Sequence, residues 1–177
     1  MSLQTLRLHL TVLSPDYLQA IHQLHSLPAV DEFNTLGIPE SIETTEQLLL
    51  EWTGRQKANS LYVYCMELKS TQAFIGLIGL NMGKPNYRSA EIWYKTHPTY
   101  WGKGYTIEAL QEVLKLGFGT LQLHRIEAGC AVGNMASIRV LEKAGFTREG
   151  RKREILPIRG QWVDNYFYSI LEKEFIQ

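Results

Sequence analysis

The run Trp101-Gly102-Lys103-Gly104-Tyr105-Thr106 sets two glycines and a lysine between an apolar, strand-like segment and an amphipathic segment beginning near Tyr105. Residues of these types suit an anion. The first turn of a helix leaves backbone N–H groups unpaired and carries partial positive charge, and glycine lets a bulky anion approach the main chain. Lys103 adds a full positive charge. The helix field contributes only about 0.3–1 kcal/mol, so holding a diphosphate calls for several N–H groups together. Two nucleotide patterns are excluded by spacing. No Gly-x4-Gly-Lys-Ser/Thr occurs, and Gly102-x-Gly104 is followed by Ile107 where a dinucleotide fingerprint places its third glycine. Taken alone, the two glycines also fit a tight strand-to-helix connection that binds nothing.

A second element lies about thirty residues further on. Arg125 to Val132 reads as a strand, and Asn134 is a favoured N-cap for a helix in which Met135, Ile138, Leu141 and Ala144 recur at helical spacing before Gly145. On these two segments the chain resembles the GNAT superfamily of acetyl-CoA-dependent N-acetyltransferases. It closely resembles the RimJ/RimL branch, which acetylates the N-terminal amines of ribosomal proteins. The superfamily cradle reads Gln/Arg-x-x-Gly-x-Gly/Ala; here Trp101, Gly104 and Thr106 stand at the first, fourth and sixth positions, and tryptophan is familiar at the first in this branch.

The resemblance implies acetyl-CoA as co-substrate, with no metal. It implies a diphosphate held by Trp101, Gly102, Lys103, Gly104, Tyr105 and Thr106, and a pantetheine arm pairing like a strand with the backbone of Tyr94, Lys95 and Thr96. Asn134 would bond an amide of the same arm while also capping its helix. Many members carry a tyrosine acid on that helix, where this chain has Leu141; in the RimJ/RimL branch a serine takes the task, and Ser137 stands there. A serine near a helix start also satisfies local backbone groups, which is the plainer role for Ser137.

A thioester is already activated, so the chemistry left to the protein is proton management. An amine must lose a proton to attack, and a carboxylate in reach, directly or through water, can take it. Glu91, set among apolar strand neighbours, is the first candidate because partial desolvation would raise its pKa. A solvated strand carboxylate is its alternative reading. Glu154, on the strand that faces the acceptor cleft in the resembling proteins, is the second candidate.

The elements that position these residues read as follows. Leu6 to Val12 alternates as a strand, Ser14-Pro15-Asp16 starts a helix, and Thr44-Thr45-Glu46 starts another. Leu61–Met66, Ala73–Met82 and Ala90–Thr96 form a strand series with turns between them. A hairpin around Pro157–Gly160 and an aromatic strand, Val163–Leu171, close the chain. The expected fold is α+β: a mixed, mostly antiparallel sheet flanked by helices, its fourth and fifth strands splayed, in a single domain over residues 1–177.

Composition sets the outer bounds. With 18 acidic and 18 basic residues there is no global field to favour nucleic acid. No run is apolar enough to span a bilayer and no secretory pattern is present, which gives a cytoplasmic expectation without membrane association. Cys65 and Cys130 read as buried thiols, and His22 and His25 have no third partner for a metal. The aromatic residues Tyr94, Trp162, Tyr166, Phe167 and Tyr168 would either wall a cleft or pack a core. The polar segment Asp31–Ser41 shows no pattern.

The expected activity is acetyl transfer to a primary amine, with a protein N-terminal α-amine as first choice. A small-molecule amine (polyamine or antibiotic) and a non-catalytic acyl-CoA sensor are the alternatives. A homodimer is compatible with this reading.

Overall fold

Apolar residues alternate along the strands so that both faces of one sheet are covered, and this two-sided pattern sets the architecture. The computed structural model describes residues 2–175. The elements, in chain order, are β1 (Leu3–Gln4), β2 (Leu8–Val12), α1 (Leu18–His25), α2 (Pro28–Asp31), α3 (Ile42–Lys57), β3 (Leu61–Leu68), β4 (Phe74–Met82), β5 (Ser89–Thr96), α4 (Tyr105–Lys115), β6 (Arg125–Ala131), α5 (Met135–Lys143), β7 (Thr147–Ile158) and β8 (Gln161–Leu171). The strands form one sheet in the order β1-β2-β3-β4-β5-β6-β8-β7. Every neighbouring pair is antiparallel except β5 with β6, which is parallel.

One face buries Leu8, Leu10, Met66, Leu80 and Ile92 against Leu110 and Val113 of α4 and Ile138 and Leu141 of α5. The other buries Val63, Cys65 and Leu77 against Ile21 and Leu24 of α1 and Leu49 and Trp52 of α3. The period of two therefore sends adjacent residues of β5 to opposite sides: Ile92 joins the α4/α5 core, and Trp93 packs on the α1/α3 core.

The feature that matters for function is where β5 and β6 stop pairing. Their register runs only from Ser89↔Arg125 through Ala90↔Ile126 to Glu91↔Glu127, after which the strands diverge, as expected of the splayed pair. From Ile92 onward β5 is held by β4 alone, through Thr96↔Gly76. Gly76 permits this closeness, since a Cβ there would lie 2.1 Å from the Lys95 carbonyl oxygen.

Several boundaries differ from those read in the sequence. The strand expected from Leu6 begins at Leu8, because Thr5 and Leu8 close a turn through Thr5 N–H to the Leu8 carbonyl at 3.0 Å, which leaves Leu6 exposed. The helix expected at Ser14 opens as a 3-10 turn, Pro15–Tyr17, with the Ser14 hydroxyl bonded to the Asp16 carboxylate rather than to the backbone. The helix expected at Thr44 starts two residues earlier, at Ile42, and Thr45 is buried inside it, 2.8 Å from His22 Nδ1. The closing aromatic strand starts at Gln161 rather than Val163.

Candidate active site

The cradle forms where expected, between β5 and α4. A 3-10 turn, Pro98–Tyr100, is followed by Gly102 and Gly104 at φ +72° and +79°, values that favour glycine. No protein atom lies within 4 Å of the position a Gly102 Cβ would take. Among the described residues, none of the amides of Gly102, Lys103, Gly104, Tyr105, Thr106 and Ile107 donates to a backbone carbonyl outside the helix, whereas the Trp101 amide is already bonded to Pro98 at 3.0 Å. Trp101 contributes through its indole instead: Nε1 donates to the Thr96 carbonyl at 2.6 Å, tying the cradle to the end of β5. Thr106 makes a second tie, hydroxyl to hydroxyl with Thr96 at 2.9 Å.

Glu108, in the first turn of α4, would repel a diphosphate if its charge stood alone. Burial pushes its pKa upward, but bonds from Thr5 and from the amide and guanidinium of Arg7 outweigh this and hold it below the usual carboxylate value. Arg7 also stacks on the Tyr105 ring at 4.4 Å and donates to the Lys103 carbonyl at 3.1 Å. The cradle is thus positively surrounded and fixed in shape. Its free amides, open glycines and neighbouring cations fit the diphosphate of coenzyme A.

From the cradle the splay leads to a cleft of about 130 Å³ walled by Ile92 and Tyr94 of β5, Gly129 and Cys130 of β6, and Asn134, Ser137 and Leu141 at α5, with Trp93 and Phe33 at its other side. The β5 edge along this cleft has no strand partner, so an extended arm can pair with it. The Thr96 carbonyl is spent on Trp101 and, by the alternation that bonds His97 N–H to Ile75, the Lys95 backbone faces Leu77 of β4, which leaves the Tyr94 amide and carbonyl open to such pairing. Asn134 caps α5 by accepting the Ser137 N–H on Oδ1 at 3.0 Å, and its amide nitrogen remains a donor for a ligand.

Ser137 and Tyr94 meet in this cleft. Tyr94 Oη lies 2.8 Å from Ser137 Oγ and 3.4 Å from the Ser137 carbonyl oxygen. Burial raises the phenol pKa well above its ordinary value, and the Ser137 bond only partly offsets this. Cys130 is close enough to bond Ser137, and burial pushes its thiol up to about 11, so it is neutral at physiological pH.

The two carboxylate candidates lie elsewhere. Glu91 occupies the last paired position of β5 on the side of Trp93, outside the cleft lining and beside Glu127. It is exposed by surface area, yet the protein around it, and then the Glu127 charge, raise its pKa. Glu154 is exposed in a bulge of β7, at φ +48°, its N–H donating to Asp164 Oδ1 at 2.7 Å. The cleft and Glu154 are not brought together.

Sequence reasoning missed the wall opposite Ser137. Phe33 comes from the unpatterned Asp31–Ser41 segment and lies over Gly133, 3.3 Å from where a Cβ would stand. Buried His25 and Asp31 each meet a more open cation: Lys95 Nζ is 3.5 Å from His25 Nε2, Arg159 Nε is 3.4 Å from Asp31 Oδ2, and Asp31 Oδ1 has no hydrogen-bond partner. Burial depresses Lys95 to about 8, with Asp31 pulling the other way, and burial plus Lys95 depress His25 to about 3. Of the aromatic set, Tyr168 is core and Trp162 is exposed; Tyr94 alone lines the cleft. Among the described residues, no group of three or more His, Cys, Asp or Glu is placed to hold a metal, and no helix is long and apolar enough to cross a membrane.

Comparison with known proteins agrees with this geometry. Residues 7–147 match the family described as "Acetyltransferase (GNAT) domain". An uncharacterized N-acetyltransferase of Bacillus subtilis, YnaD, is 35% identical over 140 residues, covering 78% of this chain and 80% of its own. The crystal structure of a GNAT-family acetyltransferase from Bacillus anthracis superposes with a TM-score of 0.87 at 30% identity, covering 98% of this chain and 100% of its own. The spermidine N-acetyltransferase of Vibrio cholerae, in complex with CoA and spermine, gives 0.86 at 26% identity, covering 96% and 98%.

Proposed function

We propose a protein N-terminal α-amine as the acceptor, starting from what the matches establish: this chain belongs to the acetyltransferase (GNAT) domain family, and it is an N-acetyltransferase that uses acetyl-CoA. In this reading the free amides from Gly102 to Thr106 hold the diphosphate, the β5 edge at Tyr94 holds the pantetheine arm, and Asn134 bonds one of its amides. The thioester then lies in the cleft beside Ser137. The amine nitrogen attacks the carbonyl carbon, the C–S bond breaks with its electron pair on sulfur, and the proton released from nitrogen passes to Glu91 through water. Glu91 suits this task because its pKa is raised, and an α-amine, with a pKa near 8, needs less help than an alkyl amine near 10.

The charge of the acceptor wall carries the choice of acceptor. Lys95 and Arg159 bracket the buried Asp31, whose unpaired Oδ1 is closed off from solvent, so the groups this wall turns outward are cationic. An N-terminal amine brings a single charge, lost before attack, whereas a polyamine brings several toward a wall that already has two cations. Ser137 at the position used in the RimJ/RimL branch, with Leu141 in place of a helix tyrosine, supports the same reading. A cytoplasmic location and a homodimer fit it as well.

The test supplies acetyl-CoA with a peptide bearing a free N-terminus and an internal lysine, the same peptide with a blocked N-terminus, and spermidine. Mass spectrometry should find the acetyl group on the α-amine, with turnover of the free peptide at least tenfold above the other two. Preferential acetylation of spermidine, or of the lysine side chain, overturns the acceptor assignment.

A further inference from the structure

We propose that the Tyr94 phenol is a positioning residue for acyl transfer: by donating its hydrogen bond to Ser137 Oγ, it leaves the Ser137 proton free to face the departing sulfur. The inference rests on the cleft as the thioester site and is independent of which amine accepts the acetyl group. Two hydroxyls 2.8 Å apart share one hydrogen bond, and the direction of that bond decides what Ser137 can do. If Ser137 donated to Tyr94, the phenol proton would be left with the Ser137 carbonyl at 3.4 Å, a long contact, and no proton would point into the cleft. If Tyr94 donates to Oγ, both bonds are well made once a thiolate forms.

Burial keeps the phenol protonated at working pH, as the second arrangement requires, while the 3.4 Å distance to the Ser137 carbonyl disfavours the first. The remaining neighbour, the Cys130 thiol, is neutral as well and brings no competing charge. Position argues the same way. The bond joins β5 to α5 across 43 residues of chain, at the cleft wall, while the helix position one turn beyond Ser137 holds the aliphatic Leu141. The phenol therefore approaches from the strand, where no helix residue supplies an acid. Tyr94 keeps its proton throughout: the thiolate accepts a hydrogen bond from Ser137, and its final proton comes from solvent.

A double-mutant cycle with Tyr94→Phe and Ser137→Ala, with acetyl-CoA and whichever amine turns over, tests this. Each single variant should lower kcat about tenfold with the KM for acetyl-CoA within twofold of wild type, and the double variant should be no slower than Ser137→Ala. Calorimetric affinities for coenzyme A and for desulfo-coenzyme A, which lacks the sulfur, supply a readout without turnover. In the wild type the sulfur should add affinity that grows as pH rises through the thiol range near 8.5, and this increment should fall at least threefold in both single variants. Independent, multiplicative losses in kcat, or an unchanged sulfur increment in Tyr94→Phe, overturn the proposal. Thermal unfolding of each variant accompanies the cycle; should Tyr94→Phe unfold below assay temperature, the increment in Ser137→Ala decides alone.

Discussion

The two sides of β5 are built from different kinds of material. On the side of α4 and α5, the groups aimed at acetyl-CoA are main-chain amides, short polar side chains and a phenol, all between Tyr94 and Leu141. On the side of α1 and α2, the groups of the proposed acceptor wall come from distant parts of the chain: Phe33 from a loop, His25 from α1, and Arg159 from the β7–β8 turn, 128 residues from its partner Asp31. A donor shared by a whole family can be gripped by local backbone geometry. An acceptor that varies among relatives is met by side chains that long-range packing brings together.

Substitutions on either side break or sharpen this contrast. The largest effect is expected at Gly104→Val. Its φ of +79° is a left-handed conformation that costs a branched side chain about 1–2 kcal/mol, and its Cβ would lie 3.4 Å from Arg7 Nη2, crowding the guanidinium that braces the turn. Coenzyme A affinity by calorimetry should fall at least about 100-fold, equivalent to about 2.7 kcal/mol, with a native circular dichroism spectrum. Retained affinity would mean that the cradle amides do not grip the donor.

An intermediate effect is expected at His25→Leu, on stability rather than binding. The folded pKa of about 3 lies below the unfolded value of 6.5, so the histidine's favourable contribution is full above pH 6.5 and is lost as pH falls toward 3. At about pH 4.5 the wild type should have lost about 2–3 kcal/mol relative to about pH 7.5 from this group, and the variant should lack that loss. Urea midpoints at the two values measure it. Equal acid sensitivity in both proteins would show that His25 is not held neutral by its surroundings.

The smallest effect is expected at Arg159→Ala, which removes the tie from the β7–β8 turn to the Pro28 carbonyl at 2.7 Å and to Asp31. Arg159 is half open to solvent, while the buried Asp31 keeps Lys95 as a neighbouring cation, so stability should change by only about 1 kcal/mol. Initial-rate kinetics should show the acceptor KM rising threefold or more, with the KM for acetyl-CoA unchanged. A shift in the acetyl-CoA KM alone would blur the division between the two sides.

That division also marks what the sequence made legible. The succession of strands and helices and the glycine turn before α4 could be read because they rest on period-two alternation, glycine punctuation and a capped helix, all of them local; the splay was implied by the resemblance, and its start after Glu91 and the β6-β8-β7 order came from the structure. Asn134 could be read as a cap from its place at the helix start, while Ser137 was singled out only through the resemblance. The indole bond of Trp101 could not, since it depends on how the Pro98–Tyr100 turn folds back on Thr96. Tyr94 was read for its backbone and as an aromatic that either walls a cleft or packs a core; that its phenol reaches Ser137 follows from the crossing of β5 beneath α5. Ile42 escaped as a helix start because the more conspicuous Thr44-Thr45-Glu46 lies inside the helix, Thr45 turned inward toward His22. Phe33 had no periodic neighbours to announce it.

A crystal structure of this protein with coenzyme A tests the central claim most directly. The account predicts the diphosphate oxygens within about 3 Å of several backbone nitrogens between Gly102 and Thr106, and the sulfur within reach of Ser137 Oγ in the splay between β5 and β6. A diphosphate bound elsewhere, with those amides facing only solvent, would contradict it.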